Sequence, residues 1–254
     1  MTRHRARLHH QSFRLFALAL LLTLMSSGAG AYEVRNFTGT IGDRRVHLSL
    51  QSYQVSRNGH SQSDEVEASY YEDVRRIPTP LSGAYKADGR ITLCERAPEL
   101  TQSGARGSAA SRGTKCPITL SVAEAHATGE WRDRQGVRWI TLKQVGRIER
   151  TEGGGTLLTG AVEIPMWYHT ATHLYLGIYE STKDCPVVMR RLHVINVVTG
   201  RREVTVPLED QTCDAGTLMT VIYTNVFQSL KPHHVKVGFD GGHHGHEEDV
   251  DVRP

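Results

Sequence analysis

A hydroxyl residue followed by glycine recurs along the chain ahead of alternating apolar runs, and this pattern restricts the polypeptide to bent antiparallel sheets. Thr38-Gly39-Thr40-Ile41 leads through Asp43-Arg44-Arg45 into Val46-x-Leu48-x-Leu50. Ser82-Gly83-Ala84-Tyr85 leads through Asp88-Gly89 into Ile91-x-Leu93, and Thr128-Gly129-Glu130-Trp131 leads through Gln135-Gly136 into Trp139-Ile140-x-Leu142. Thr159-Gly160-Ala161-Val162 opens a further unit. Alternation buries one face of a strand and wets the other. A glycine inside a strand permits a bulge or sharp bend, and one per hairpin coils a sheet into a barrel or curled sandwich. The uneven spacing of the units argues against a solenoid or propeller. The fold class expected is therefore all-β, an antiparallel meander forming a curled sheet, barrel or sandwich.

The N-terminus reads as an export signal. Arg3, Arg5, Arg7 and Arg14 precede the apolar run Leu15 to Met25, which is short for a permanent anchor. Small residues ending in Ala29-Gly30-Ala31 follow, so residues 1–31 are expected to be removed and the product to be periplasmic or secreted, with no transmembrane anchor. The full chain carries a formal charge of +3, and this leader holds four arginines and no acid, which leaves the mature chain near −1. Net charge thus gives no support to a nucleic-acid partner.

Along the mature chain we expect a β-meander over residues 32–164, a second β region over 165–239, packed on the first or continuous with it, and a flexible His-rich and acidic tail over 240–254. Leu192 to Val198, Thr199-Gly200 and Arg202 to Val206 read as a hairpin, and Leu218 to Phe227 as a buried strand. Four cysteines in an exported chain predict two disulfides, with Cys94–Cys116 and Cys185–Cys213 favoured because they form sequence-local pairs. The first pair brackets a Ser-, Gly- and Arg-rich stretch from Glu95 to Lys115.

The segments FTGTIG (from Phe37), YYEDVRR (from Tyr70) and ITLCE (from Ile91) resemble a class of exported bacterial β-hairpin-repeat proteins without an assigned activity. The step Gly129-Glu130-Trp131 is faintly similar to the strand repeat of avidin-like barrels. The resemblance implies an envelope location and β architecture. The chain lacks the hydrogen-bonding residues of the avidin-like barrels, so no biotin-binding position is carried over.

The chemistry candidates are few. His233, His234, His243, His244 and His246, beside Glu247, Glu248 and Asp249, form the one concentration of metal-ligating residues, suited to Ni²⁺, Cu²⁺ or Zn²⁺. His169 and His173 would meet at one ion on a helix, but their surroundings favour strand. Glu72-Asp73 beside Arg75-Arg76 reads either as an acid pair with a basic clamp or as a charged edge guarding a strand. Trp131, Trp139, Trp167, Tyr70, Tyr71, Tyr85 and Tyr168 suit a ligand surface or, more plainly, cross-strand packing. No G-x-S-x-G, H-E-x-x-H, P-loop or dinucleotide glycine fingerprint occurs. The leading expectation is a non-enzymatic exported protein that binds a protein or small-molecule partner through loops on a β scaffold. A metal-handling protein using the His-rich segment is the alternative, and a hydrolase with an unrecognised site the third. N-terminal sequencing of the exported product should find Tyr32 as the first residue, and Ala31→Asp should leave the leader attached.

Overall fold

The computed structural model describes residues 31–54, 56–57, 60–61, 65–96, 115–150, 156–183, 186–208, 226–239 and 246–253. Every regular element among them is a strand. The first unit runs β1 (Ala31–Ile41), β2 (Arg44–Gln54), the short pair β3 (Ser56–Arg57) and β4 (His60–Ser61), then β5 (Glu65–Glu72), β6 (Arg75–Tyr85), β7 (Ile91–Glu95), β8 (Ile118–Val122), β9 (His126–Asp133), β10 (Gly136–Arg150) and β11 (Thr156–Gly160). Consecutive hairpins pair in the order β1-β2-β5-β6-β7-β8-β9-β10, and β1 pairs with β10, so the sheet closes into an eight-stranded antiparallel barrel. β11 continues beyond the barrel by pairing with the far half of β10.

The glycines of the repeated unit make this curvature possible. Gly39, Gly83 and Gly129 lie where a neighbouring strand's carbonyl presses against the backbone. A Cβ at these positions would stand 2.1 Å from Thr141 O, 1.9 Å from Thr92 O and 2.0 Å from Thr119 O respectively. Between them the alternating apolar residues point inward. Phe37, Leu81, Ile91, Leu93 and Ala127 have no exposed surface, and Val46, Leu48, Leu50, Ile118, Leu120, Ile140 and Leu142 join them. A barrel of eight strands is just wide enough for side chains to fill it. Tyr70 and Trp131 cover one end of this core in an edge-to-face contact at 5.4 Å. Toward the other end Arg35 lies over Phe37 at 5.3 Å and ties β1 to the β8–β9 turn through Glu124 O at 2.7 Å.

The disulfide Cys94–Cys116 joins β7 to the residues leading into β8. Cys185 and Cys213 lie outside the described residues, as do most of the segment from Leu218 to Phe227 and the long stretch inside the first disulfide.

A second unit is built from β12 (Val162–His169), β13 (His173–Glu180), β14 (Val188–Asn196) and β15 (Arg202–Pro207) in one sheet, and β16 (Val226–Gln228), β17 (His234–Phe239) and β18 (His246–Asp251) in another. The sheets share a core of Ile164, Tyr175, Tyr179, Leu192, Val194, Val235 and Val237. Val34 and Ile148 from β1 and β10 enter the same core. Val34 lies on the outward face of β1 with Asn36 by plain alternation. Ile148 joins it because a register shift between Asn36 and Phe37 leaves Val145 as an extra residue on β10, which turns the next stretch of that strand to its opposite face. Because β12 begins at Val162, the expected division at 164/165 falls inside a strand. The expected flexible tail is corrected over residues 246–251: these form β18, paired along their length with β17, and Val250 is buried in the core. The alternation of Val250 and Val252 between charged residues carries that strand.

Gly129→Ala should lower stability by about 2–4 kcal/mol, read as the urea midpoint, because its Cβ cannot coexist with Thr119 O. The adjoining exposed Thr128→Ala should change it by less than about 0.5 kcal/mol.

Candidate functional site

The polar side chains that alternation sends to the outside of β1, β2 and β5 do not all meet water, because β12 lies across them. Asn36 faces Ser49 and Ser49 faces Ser69 across the ladder, and all are buried. Asn36 Nδ2 donates to the Glu163 backbone carbonyl at 2.6 Å, and the Tyr71 hydroxyl donates to Glu163 Oε1 at 2.9 Å. Burial, followed by the nearby Glu163 carboxylate, pushes the Tyr71 phenol far above its ordinary value. His47, cross-strand from Tyr71, stacks on that ring at 4.7 Å, and its Nε2 stands 2.8 Å from Asp73 Oδ1. The cleft between these residues has room for about one water molecule.

Above this seam three turns meet at one end of the barrel. Asp73 N donates to Arg45 O at 3.0 Å, joining the β1–β2 and β5–β6 turns, and Arg76 N donates to Gly200 O at 2.9 Å, joining the β14–β15 turn. Gly200 has φ +67°, and a Cβ there would stand 2.3 Å from Arg75 Cγ, so both conformation and contact require glycine. The acid pair Glu72-Asp73 is divided between partners: Glu72 takes Arg44 at 2.8 Å and Asp73 takes His47. Arg75 Nη2 reaches Val197 O at 3.4 Å, and Arg76 lies over the Tyr71 ring at 5.8 Å. Exposed Val74 and Val198 sit at the tips of the two facing turns.

Behind the rim, the face of the β12–β15 sheet turned toward the barrel carries His193. It is 8 % exposed, and its Nδ1 has no hydrogen-bond partner. Burial first, then Arg202, Arg191 and Arg76, push its pKa down to about 4. The carboxylates nearby are already engaged. Glu180 pairs with Arg191, while Glu203 accepts from Asn196 Nδ2 at 2.9 Å and stands 2.7 Å from His173 Nε2. Sequence reasoning missed this grouping, since Arg76 reaches the β14–β15 hairpin that carries His193 and Arg202 from a barrel turn more than a hundred residues away.

The other sequence candidates are dispersed. His173 opens β13 with its Nδ1 2.9 Å from Thr172 Oγ1, and the side chain of His169 is outside the described residues, as are those of Trp167 and Tyr168. Trp139 is 69 % exposed on the outer wall, whereas Tyr70, Tyr85 and Trp131 pack against the barrel core. His233 lies in the turn before β17, and His234 Nδ1 stands 2.7 Å from Pro232 O. His234 pairs in register with Asp251 and His246 with Phe239, which puts these two histidines at opposite ends of one hairpin. His243 and His244 lie outside the described residues. Among the described residues no group of three or more His, Cys, Asp or Glu side chains is placed to hold a metal.

Fold and junction together define a side-chain-filled β-barrel joined to two smaller packed sheets. No protein-family model, curated protein or solved structure matches the chain.

The unfolded chain binds a proton at His193 near the ordinary value of 6.5, and the folded chain only near 4. Between these values the unfolded state holds more protons, so stability falls as pH drops from 6.5 toward 4 and levels off below. Thermal melts should show this loss, on the order of 3 kcal/mol at its full extent, and His193→Gln should flatten that part of the profile.

Proposed function

We propose that the chain is exported, loses residues 1–31, and works as a non-catalytic recognition protein that binds an acidic partner at the barrel end where the β1–β2, β5–β6 and β14–β15 turns meet. The observation that carries this reading is the gathering of Arg45, Arg75 and Arg201 there. All three are exposed, and none has a carboxylate partner among the described residues. Cations held without acids lose little hydration when unbound and form charge-assisted hydrogen bonds when an acidic surface arrives. Exposed Val74 and Val198 between them supply apolar area for the same contact.

Two features support recognition from the outside of the scaffold. The barrel interior is occupied by its own side chains, which directs a ligand to the surface. Backbone hydrogen bonds between the turns hold the arginines on a rigid frame, so little ordering entropy is lost on binding. Export is supported by the leader pattern and by the Cys94–Cys116 disulfide, a bond that persists in oxidising compartments.

The mature protein should be retained on a dextran sulfate column at low salt and elute as salt screens the contact. The triple variant Arg45→Glu/Arg75→Glu/Arg201→Glu should elute at clearly lower salt, while Arg90→Glu, in the turn at the opposite barrel end, should behave as wild type. Equal retention of all three proteins would exclude the rim as the recognition surface.

A further inference from the structure

We infer that Arg76, Arg202 and His193 form a site for a single tetrahedral oxyanion of the phosphate type at the junction between the barrel and the β12–β15 sheet. The inference deepens the rim reading by naming a ligand group beside the same turns, and it rests on that reading.

The placement follows from register and turn contacts. His193 pairs with Thr205, and Ile195, two residues along the same strand, pairs with Arg202, so Arg202 and Thr205 flank His193 on β15. Arg76 arrives from the barrel, fixed by its backbone hydrogen bond to Gly200 and by its position over Tyr71. Tyr71 itself packs against Leu174, Leu176 and Ile195, with Leu176 in register with His193. The arginines therefore approach His193 from two structural units across one packed interface.

Charge accounting around the histidine points to an anion. Arg191 is neutralised by Glu180, Glu203 is occupied by His173 and Asn196, and Glu163 is engaged by Tyr71. Neither Arg76 nor Arg202 has a carboxylate partner among the described residues. The charged groups acting on His193 are all cations, Arg202, Arg191 and Arg76. The histidine is nine-tenths buried and keeps one ring nitrogen unpartnered. Leaving a buried polar atom without a partner is costly, and a concentration of guanidinium groups without counter-charge adds repulsion. A tetrahedral dianion relieves both, since guanidinium forks match phosphate oxygens and an imidazole N–H donates a further bond. Thr205 supplies a hydroxyl at the same level of the sheet. A planar monoanionic carboxylate offers fewer acceptor oxygens and less charge to the same donors.

The test is an NMR titration of the folded mature protein, read at the His193 imidazole, with inorganic phosphate and, separately, acetate. Phosphate should give a saturable His193 shift and raise the pH at which this ring titrates by about one unit or more, because a bound anion favours the imidazolium. Arg76→Gln and Arg202→Gln, each checked for native near-ultraviolet circular dichroism, should weaken phosphate at least about tenfold. Should a variant fail to fold, the phosphate-dependent rise of the wild-type His193 titration decides the question alone. No saturable shift, an equal response to acetate, or full retention of phosphate binding in both folded variants would overturn the site. Loss of this site with intact dextran sulfate retention would refute the oxyanion pocket and leave rim recognition standing, whereas loss of retention with phosphate binding intact would do the reverse.

Discussion

The pairing of β1 with β10 is the constraint on which the rest of the molecule depends. It removes the two free edges that an eight-stranded meander would otherwise present, so every barrel strand has both neighbours satisfied. The same pair then runs past the barrel. The register shift beside Asn36 turns β10 over, so that Ile148 joins the outward-facing Val34 of β1 and the two seat the core of the second unit. One ladder thereby closes one core and founds another, which ties the orientation of the β12–β15 sheet to the barrel wall. Without that shared ladder the turn contacts at Gly200 and the seam at Glu163 would have nothing to hold them in place.

The second unit changes the chemistry of the barrel surface that it covers. Asn36, Ser49, Gln51 and Ser69 follow a pattern that would be solvated on an isolated barrel, and each is buried here. Glu163 answers part of that demand through its backbone carbonyl and its carboxylate. The aromatic stack of His47 on Tyr71 and the lid of Arg76 over the same ring continue the seam toward the rim. Polar groups at this interface give it direction, since an apolar face would tolerate sliding while these hydrogen bonds accept one register. The cluster of arginines follows from the same packing, because the β5–β6 turn and the β14–β15 turn are brought together by it.

Local pattern made much of the barrel legible. Gly39, Gly83 and Gly129 stand out because only glycine fits against a carbonyl at about 2 Å, and the alternating runs after them supply the interior. The hairpin around Thr199-Gly200 was readable for the same kind of reason, a positive φ fixed by local turn chemistry. The charge cluster from Glu72 to Arg76 was visible but its use was not. Two of its members pair with Arg44 and His47, and Arg75 reaches the backbone of a turn more than a hundred residues away. His193 carried no signal at all: it sits in an ordinary alternating strand, and its significance comes from arginines delivered by two other elements. The histidines near the C-terminus drew attention through composition, yet sheet pairing sets His234 and His246 at opposite ends of a hairpin.

The amino-acid order alone determined that this chain forms bent antiparallel hairpins and where its sharp turns fall, and it favoured the Cys94–Cys116 pairing that the structure shows. These are short-range matters, decided by side-chain alternation, by backbone freedom at glycine and by nearness along the chain. Only the tertiary structure decided that the meander closes through β1 and β10, that a second unit buries polar residues of the barrel wall, and that Arg76, His193 and Arg202 converge. Those outcomes depend on which distant surfaces meet, and no local pattern encodes a contact between strands whose partners lie a hundred residues apart.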